Sequence, residues 1–156
     1  MVNVGLNARI DEHEGERNLT EQISGGCACR AVRYSFSHAP RYMGNCHCRD
    51  CQRATGSAYF PGVLFLEKEF TLLSGEPKWF ESKSDAGNTM RRGFCPDCGS
   101  PLFLTIAERE GVRLVYASSL DDPEIYQPIR DIFVSSAHAW DIMSSDLPKF
   151  ERGAEE

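Results

Sequence analysis

Short alternating runs of apolar and polar residues dominate this chain, and apolar positions seldom recur at helical spacing. Residues 31–36 alternate as a half-buried strand does, and residues 59–66 form an aromatic and aliphatic run. Pro61 and Gly62 inside that run predict a bulge or an edge position, because proline cannot donate to a central ladder. Residues 70–73, 78–81 and 89–94 are further short strand candidates, separated by turn-forming stretches at 74–77 and 84–88. Residues 102–107, 112–117 and 130–135 add three more, the last rich in β-branched and aromatic side chains. Helical signals are confined to a turn or two after Cys48 and a short piece near Asp121, where Asp-Asp-Pro can cap a helix. Many short antiparallel strands with brief turns predict an all-β, or at least β-dominated, fold.

Composition narrows the class. At 156 residues, 41% apolar and 26% charged, the chain can bury a real core as one domain. Residues 1–20 and 153–156 lack sustained periodicity and read as loosely docked ends. No linker, repeat or low-complexity tract divides the rest, so a single domain is expected over 21–152. An excess of 23 acidic over 17 basic residues, for a net charge of −6, argues against a nucleic-acid partner. No apolar run approaches the roughly 18 residues of a membrane helix. Glu12, Glu14 and Glu16 stand where a signal peptide would be apolar. The expectation is a soluble, cytoplasmic protein without a membrane partner.

Seven cysteines change the picture. An odd number cannot close entirely into disulfides within one chain, and clustered cysteines in a reducing compartment are more often metal ligands or catalytic thiols. They fall into three groups: Cys27 and Cys29 after a Gly-Gly pair; Cys46, Cys48 and Cys51 within six residues; and Cys95 and Cys98 in a Cys-Pro-x-Cys-Gly turn. Zinc takes four ligands in a tetrahedron, and a C-x-x-C turn sets two sulfurs on one ion. The simplest division is four plus three. Cys27, Cys29, Cys95 and Cys98 then form a closed, structural Cys₄ site, while Cys46, Cys48 and Cys51 hold a second Zn²⁺ with one position open. A second division pairs Cys27 and Cys29 with Cys46 and Cys48, leaving Cys51, Cys95 and Cys98 for the other ion. The missing βαβ pattern tells against a thioredoxin-like redox pair, and the spacings are not those of ferredoxin clusters.

Neighbouring groups carry weaker signals. In an extended Cys-His-Cys tripeptide the side chain of His47 points away from the flanking thiols, which places it at the surface or beside the ligands rather than on the metal. His138 is distant in sequence, and His13 and His38 sit in expected loops. Seven thiolates outweigh the charge of two Zn²⁺ ions, and Arg30, Arg49, Arg53, Arg91 and Arg92 lie in or next to the three groups. Any of them lining the open site would attract an anionic substrate.

At these residues the chain resembles the glutathione-dependent formaldehyde-activating enzymes, which share a fold with the Mss4-like zinc proteins. The resemblance rests on Gly25-Gly26-Cys27-Ala28-Cys29, on residues 46–56 (Cys-His-Cys-Arg-Asp-Cys-Gln-Arg-Ala-Thr-Gly), on residues 94–103 and on residues 146–150. It implies several coiled antiparallel sheets, a structural zinc on Cys27, Cys29, Cys95 and Cys98, and a second zinc on Cys46, Cys48 and Cys51. It also implies formation of S-hydroxymethylglutathione from formaldehyde and glutathione, a carbon–sulfur lyase reaction in reverse. Two departures stand out. Arg30 occupies the place of a usual glycine after the C-x-C, and Ala139 precedes Trp140 where the family has proline.

No serine–histidine or paired-carboxylate arrangement is legible, so no catalytic residue is assigned; Asp50 and His47, which adjoin the ligands, are the candidates for a general base. The competing class is a non-catalytic zinc module that binds a protein. A methionine sulfoxide reductase on a similar zinc fold would need a spare cysteine, and the two sites leave none.

Overall fold

The computed structural model describes residues 22–153. In chain order the strands are β1 (Ile23–Gly26), β2 (Arg33–Phe36), β3 (Tyr42–Cys46), β4 (Phe60–Leu66), β5 (Phe70–Ser74) and β6 (Lys78–Lys83). Then follow β7 (Thr89–Phe94), β8 (Pro101–Ile106), β9 (Val112–Tyr116), β10 (Asp131–Ile132) and β11 (Lys149–Phe150). One helix, α1 (Arg49–Thr55), joins β3 to β4 and ends on Gly56 in the left-handed conformation. The expected piece after Asp121 is a 3₁₀ turn, Pro123–Ile125, capped by Asp122 with proline at its start. The loosely docked segment expected over 1–20 lies outside the described residues, as do 154–156.

The fold is strand-dominated, as the alternation predicts. A three-stranded sheet has the order β1-β2-β5, and an eight-stranded sheet has the order β11-β10-β3-β4-β9-β8-β7-β6. Most pairings are antiparallel, but β10 runs parallel to both β3 and β11. β4 corrects one expectation. It is neither bulged nor at an edge, and keeps unbroken register with β3 on one side and β9 on the other. Pairing with β9 begins only at Gly62, and the N–H of Asn45 (opposite Pro61) points away to Arg130 on the far side of β3. By the antiparallel alternation, the N–H that Pro61 lacks would face the side where the β9 ladder has already ended. Residues 130–135 correct another. Only Asp131–Ile132 is extended, because Phe133 adopts a left-handed backbone (φ 58°) and residues 134–136 coil into a 3₁₀ turn. β3 escapes the alternation pattern because it carries Gly44 and Asn45, poor strand formers; pairing with β4 along its length and with β10 at Asn45 and Cys46 makes it a strand.

Register assigns each side chain of the large sheet to a face. Val63, Phe65, Phe103 and Val115 lie on one face and pack with Val32 and with Tyr34 and Phe36 of the small sheet, all but sealed from solvent. Phe36 stacks on Phe65 at 3.9 Å, and Tyr34 meets Phe103 edge-on at 5.0 Å. Phe60, Leu104, Leu114 and Tyr116 lie on the opposite face and form a second, smaller cluster with Cys51 of α1. The two faces of one sheet therefore support two separate packing centres, and each contains cysteines.

Candidate metal centres

The first cysteine group is built from two knuckles. In one, Cys27 donates its N–H to Val32 and Arg30 donates to Cys27, which folds the chain between β1 and β2 back on itself. In the other, Cys95 donates to Ser100 and Gly99 donates to Cys95, between β7 and β8. Both knuckles need a left-handed residue. Gly99 (φ 74°) supplies it without a Cβ penalty, whereas Arg30 (φ 64°) bears one. That is the physical reason for the glycine that Arg30 displaces. Arg30→Gly is therefore expected to raise stability by about 1 kcal/mol in urea unfolding of the metal-loaded protein. An unchanged or lower midpoint would show that the arginine side chain offsets its backbone strain.

The knuckles bring Cys27, Cys29, Cys95 and Cys98 together, with all four Sγ atoms within 4.8 Å of one another. Cys27 and Cys29 are 3.5 Å apart and Cys29 and Cys95 are 3.7 Å apart. Those distances are far beyond a disulfide, and close to the roughly 3.8 Å edge of a tetrahedron with metal–sulfur bonds of about 2.3 Å. Polar donors surround the sulfurs. Val32 N–H reaches Cys27 Sγ at 3.2 Å, and Ser100 Oγ accepts from Ala28 N–H at 3.1 Å while lying 3.2 Å from Cys98 Sγ. The Ser100 hydroxyl lowers the Cys98 thiol to about 5, favouring the thiolate that a metal requires. Cys27 and Cys95 are buried at the edge of the main core, while Cys29 and Cys98 face solvent.

Cys46, Cys48 and Cys51 form the second group, their Sγ atoms also within 4.8 Å of one another. Cys46 ends β3, Cys48 caps α1 and Cys51 lies in its first turn, so six residues of chain suffice to converge three thiols. Cys48 Sγ accepts from the Cys51 N–H at 3.4 Å. Hydrogen bonds from the Cys46 and Cys51 thiols pull Cys48 far down, and the same sharing pushes Cys46 well up. Among the described residues these two groups are the ones whose donors can hold a metal ion, and they use all seven cysteines. The division is four plus three; the alternative grouping through Cys27, Cys29, Cys46 and Cys48 does not assemble. The donor set, all thiol and tetrahedrally spaced at the first group, suits zinc.

Around the second group the chain contributes partners that spacing alone did not reveal. His47 does point away from the thiols, but it is buried rather than at the surface, only 1% exposed. Its Nδ1 faces Asp141 at 2.8 Å and its Nε2 faces Asp131 at 3.2 Å. Asp131 is itself buried and accepts from Asn45 Nδ2 at 2.8 Å; Asn45 in turn accepts from the Tyr126 hydroxyl at 2.6 Å. Gln52, also buried, donates to the carbonyls of His47 and Ser136. A carboxylate directly before the apolar residues 132–134 was the available signal for Asp131. His138 is no ligand either: it stacks on Trp140 and lies 2.7 Å from Arg49 Nη1. A hydrogen bond from Asp141 N–H to His138 O closes a turn over Ala139, the position where the resembled family carries proline. Asp50 pairs loosely with Arg53 at 3.9 Å on the exposed side of α1.

The sequence profile described as glutathione-dependent formaldehyde-activating enzyme matches residues 22–136. The chain belongs to this family. The match spans both cysteine groups, so formaldehyde activation with glutathione is the chemistry of its relatives. No curated protein sequence matches the chain significantly. A crystal structure of a Rhodobacter sphaeroides protein is similar at 18% identity and a TM-score of 0.49, over 63% of this chain and 87% of that one. Among the described residues no helix is long and apolar enough to cross a membrane.

Proposed function

We propose that this family member is a zinc-dependent carbon–sulfur lyase acting on a thiol–aldehyde adduct, similar to S-(hydroxymethyl)glutathione synthase. The observation that carries the reading is the unequal pair of centres: four thiols at one, three at the other. Cys27, Cys29, Cys95 and Cys98 hold a structural ion, and Cys46, Cys48 and Cys51 hold one with a fourth position free. Bound zinc there would supply Lewis acidity and favour the thiolate of an incoming thiol. In the reaction a carbon–sulfur bond forms between thiolate and aldehyde carbon, and the thiol proton ends on the former carbonyl oxygen; nothing is oxidised or reduced. The protein's part is positional. The Cys46–Cys51 segment is fixed between β3 and α1, and His47 and Gln52 hold its backbone from the far side. We take residues 21–152 as one domain, acting in the cytoplasm where reduced thiols persist.

Cobalt substitution tests the open position. A small thiol such as glutathione is expected to shift the sulfur-to-cobalt charge-transfer bands, and the shift is expected to weaken towards acid pH as protons compete for every thiolate. A spectrum indifferent to thiol would mean a closed site, and would favour a non-catalytic zinc module that binds a protein.

A further inference from the structure

Of the five arginines near the cysteines, four are accounted for elsewhere. Arg30 belongs to the first knuckle; Arg49 is engaged by Gln52 and His138; Arg53 sits on the exposed side of α1. Arg91 points to the opposite face of the sheet, where its Nε donates to Glu81 at 2.8 Å. Arg92 is different. Register places it opposite Leu104, which is opposite Leu114, on the face that carries Phe60, Tyr116 and Cys51. It is half-buried, and Nη1 donates at 3.0 Å to the neutral Ser82 hydroxyl; among the described residues no carboxylate pairs with it. A guanidinium has five N–H donors in a planar fork that matches a carboxylate. This one is left largely unfilled beside the apolar cluster of Phe60, Leu104, Leu114 and Tyr116.

Among the described residues the Phe60, Leu104, Leu114 and Tyr116 side chains of this face are buried, and the face opens only towards β6. Beyond α1, Phe80 is 61% exposed, and Met90 and Ile106 beside Arg92 are half-buried. Arg92 thus lies on the same face of the large sheet as Cys51 and the cluster it packs in.

We propose that Arg92 is the anion anchor of the three-cysteine centre, taking a carboxylate of the thiol bound there and so selecting anionic thiols over neutral ones. The assignment rests on the thiol-binding reading above and adds the residue that sets its preference. A charge-assisted hydrogen bond at a half-buried site favours the anionic ligand by about tenfold.

The test uses the full cobalt-loaded chain with 3-mercaptopropionate as the anionic probe and 2-mercaptoethanol as the neutral one. Wild type is expected to bind the anionic thiol about tenfold more tightly, with the gap closing as salt is raised. Arg92→Gln is expected to lose the preference while binding the neutral thiol unchanged. Arg92→Lys should keep part of the preference, and Arg91→Gln, on the other face, all of it. Equal binding of the two probes by wild type, or a preference surviving in Arg92→Gln, overturns the assignment and leaves the open site standing. Should Arg92→Gln fail to fold, Arg92→Lys and the wild-type salt dependence decide: a salt-independent preference also overturns it. A spectrum that answers to neither thiol removes the open site, and the anchor with it.

Discussion

Cys98→Ala is expected to give unfolded or insoluble protein, whereas Cys51→Ala should give a folded domain that keeps one metal ion. The difference follows from where the two centres sit. The first joins the β1–β2 knuckle to the β7–β8 knuckle, residues 66 positions apart at Cys29 and Cys95, and so ties the small sheet to the large one. Cys27 and Cys95 belong to the main core itself. A structural zinc can contribute on the order of 10 kcal/mol to folding, comparable with the entire stability of an ordinary domain, about 5–15 kcal/mol. Losing one of four ligands at this centre therefore removes most of the margin. The second centre is local: its three thiols span six residues, and the cluster around it is the smaller of the two. Losing Cys51 leaves the main core and the first centre intact. Soluble yield, circular dichroism and metal content per chain read the outcome. A Cys51→Ala protein that unfolds as completely as Cys98→Ala would count against the assignment of structural and open roles.

Much of this was legible because cysteine chemistry is local. Two thiols in a C-x-C or C-x-x-C stretch are brought together by one turn, whatever the rest of the chain does, so spacing delimited the three local groups, while the structure decided which of them join. Alternating stretches, such as residues 31–36 that contain β2, were equally visible, since a half-buried strand alternates apolar and polar residues. What escaped depends on pairing at long range. β3 carries Gly44 and Asn45 and looks like a loop until β10 and β4 flank it. Phe133 looks like strand but turns left-handed, and the two-residue β10 is extended only because β3 and β11 bracket it. His47 could be aimed away from the metal by alternation, but its acceptors lie 84 and 94 residues further along the chain. Arg92 was one of five equal candidates until register put it on the right face of the sheet.

Asp131→Ala is the substitution outside the cysteines with the largest expected effect, a loss of about 3–5 kcal/mol. Asp131 Oδ1 is the shared acceptor for Asn45 Nδ2 and the His47 Nε2 contact, in a pocket where the carboxylate is 2% exposed. Lys149 Nζ lies 3.9 Å from the other oxygen, on the neighbouring β11. Removing the carboxylate strands two buried side chains at once, and an unsatisfied buried donor costs its full desolvation. Asp131→Asn keeps an oxygen for Asn45 or His47 and should lose markedly less. The effect should also reach the metal. His47 lies between Cys46 and Cys48, so a ring no longer held by Asp131 loosens the segment that converges the second group. The first centre, on the other side of the sheet, is expected to keep its ion. Urea unfolding measures the stability change, and stepwise chelation resolves the two metals. A double-mutant cycle with His47→Ala should show strong coupling, because the two residues share one interaction. A loss no larger than the roughly 0.5 kcal/mol of a surface change would mean that the buried network does not hold the cysteine segment. Equal weakening of both metals would mean that it acts through overall stability rather than through His47.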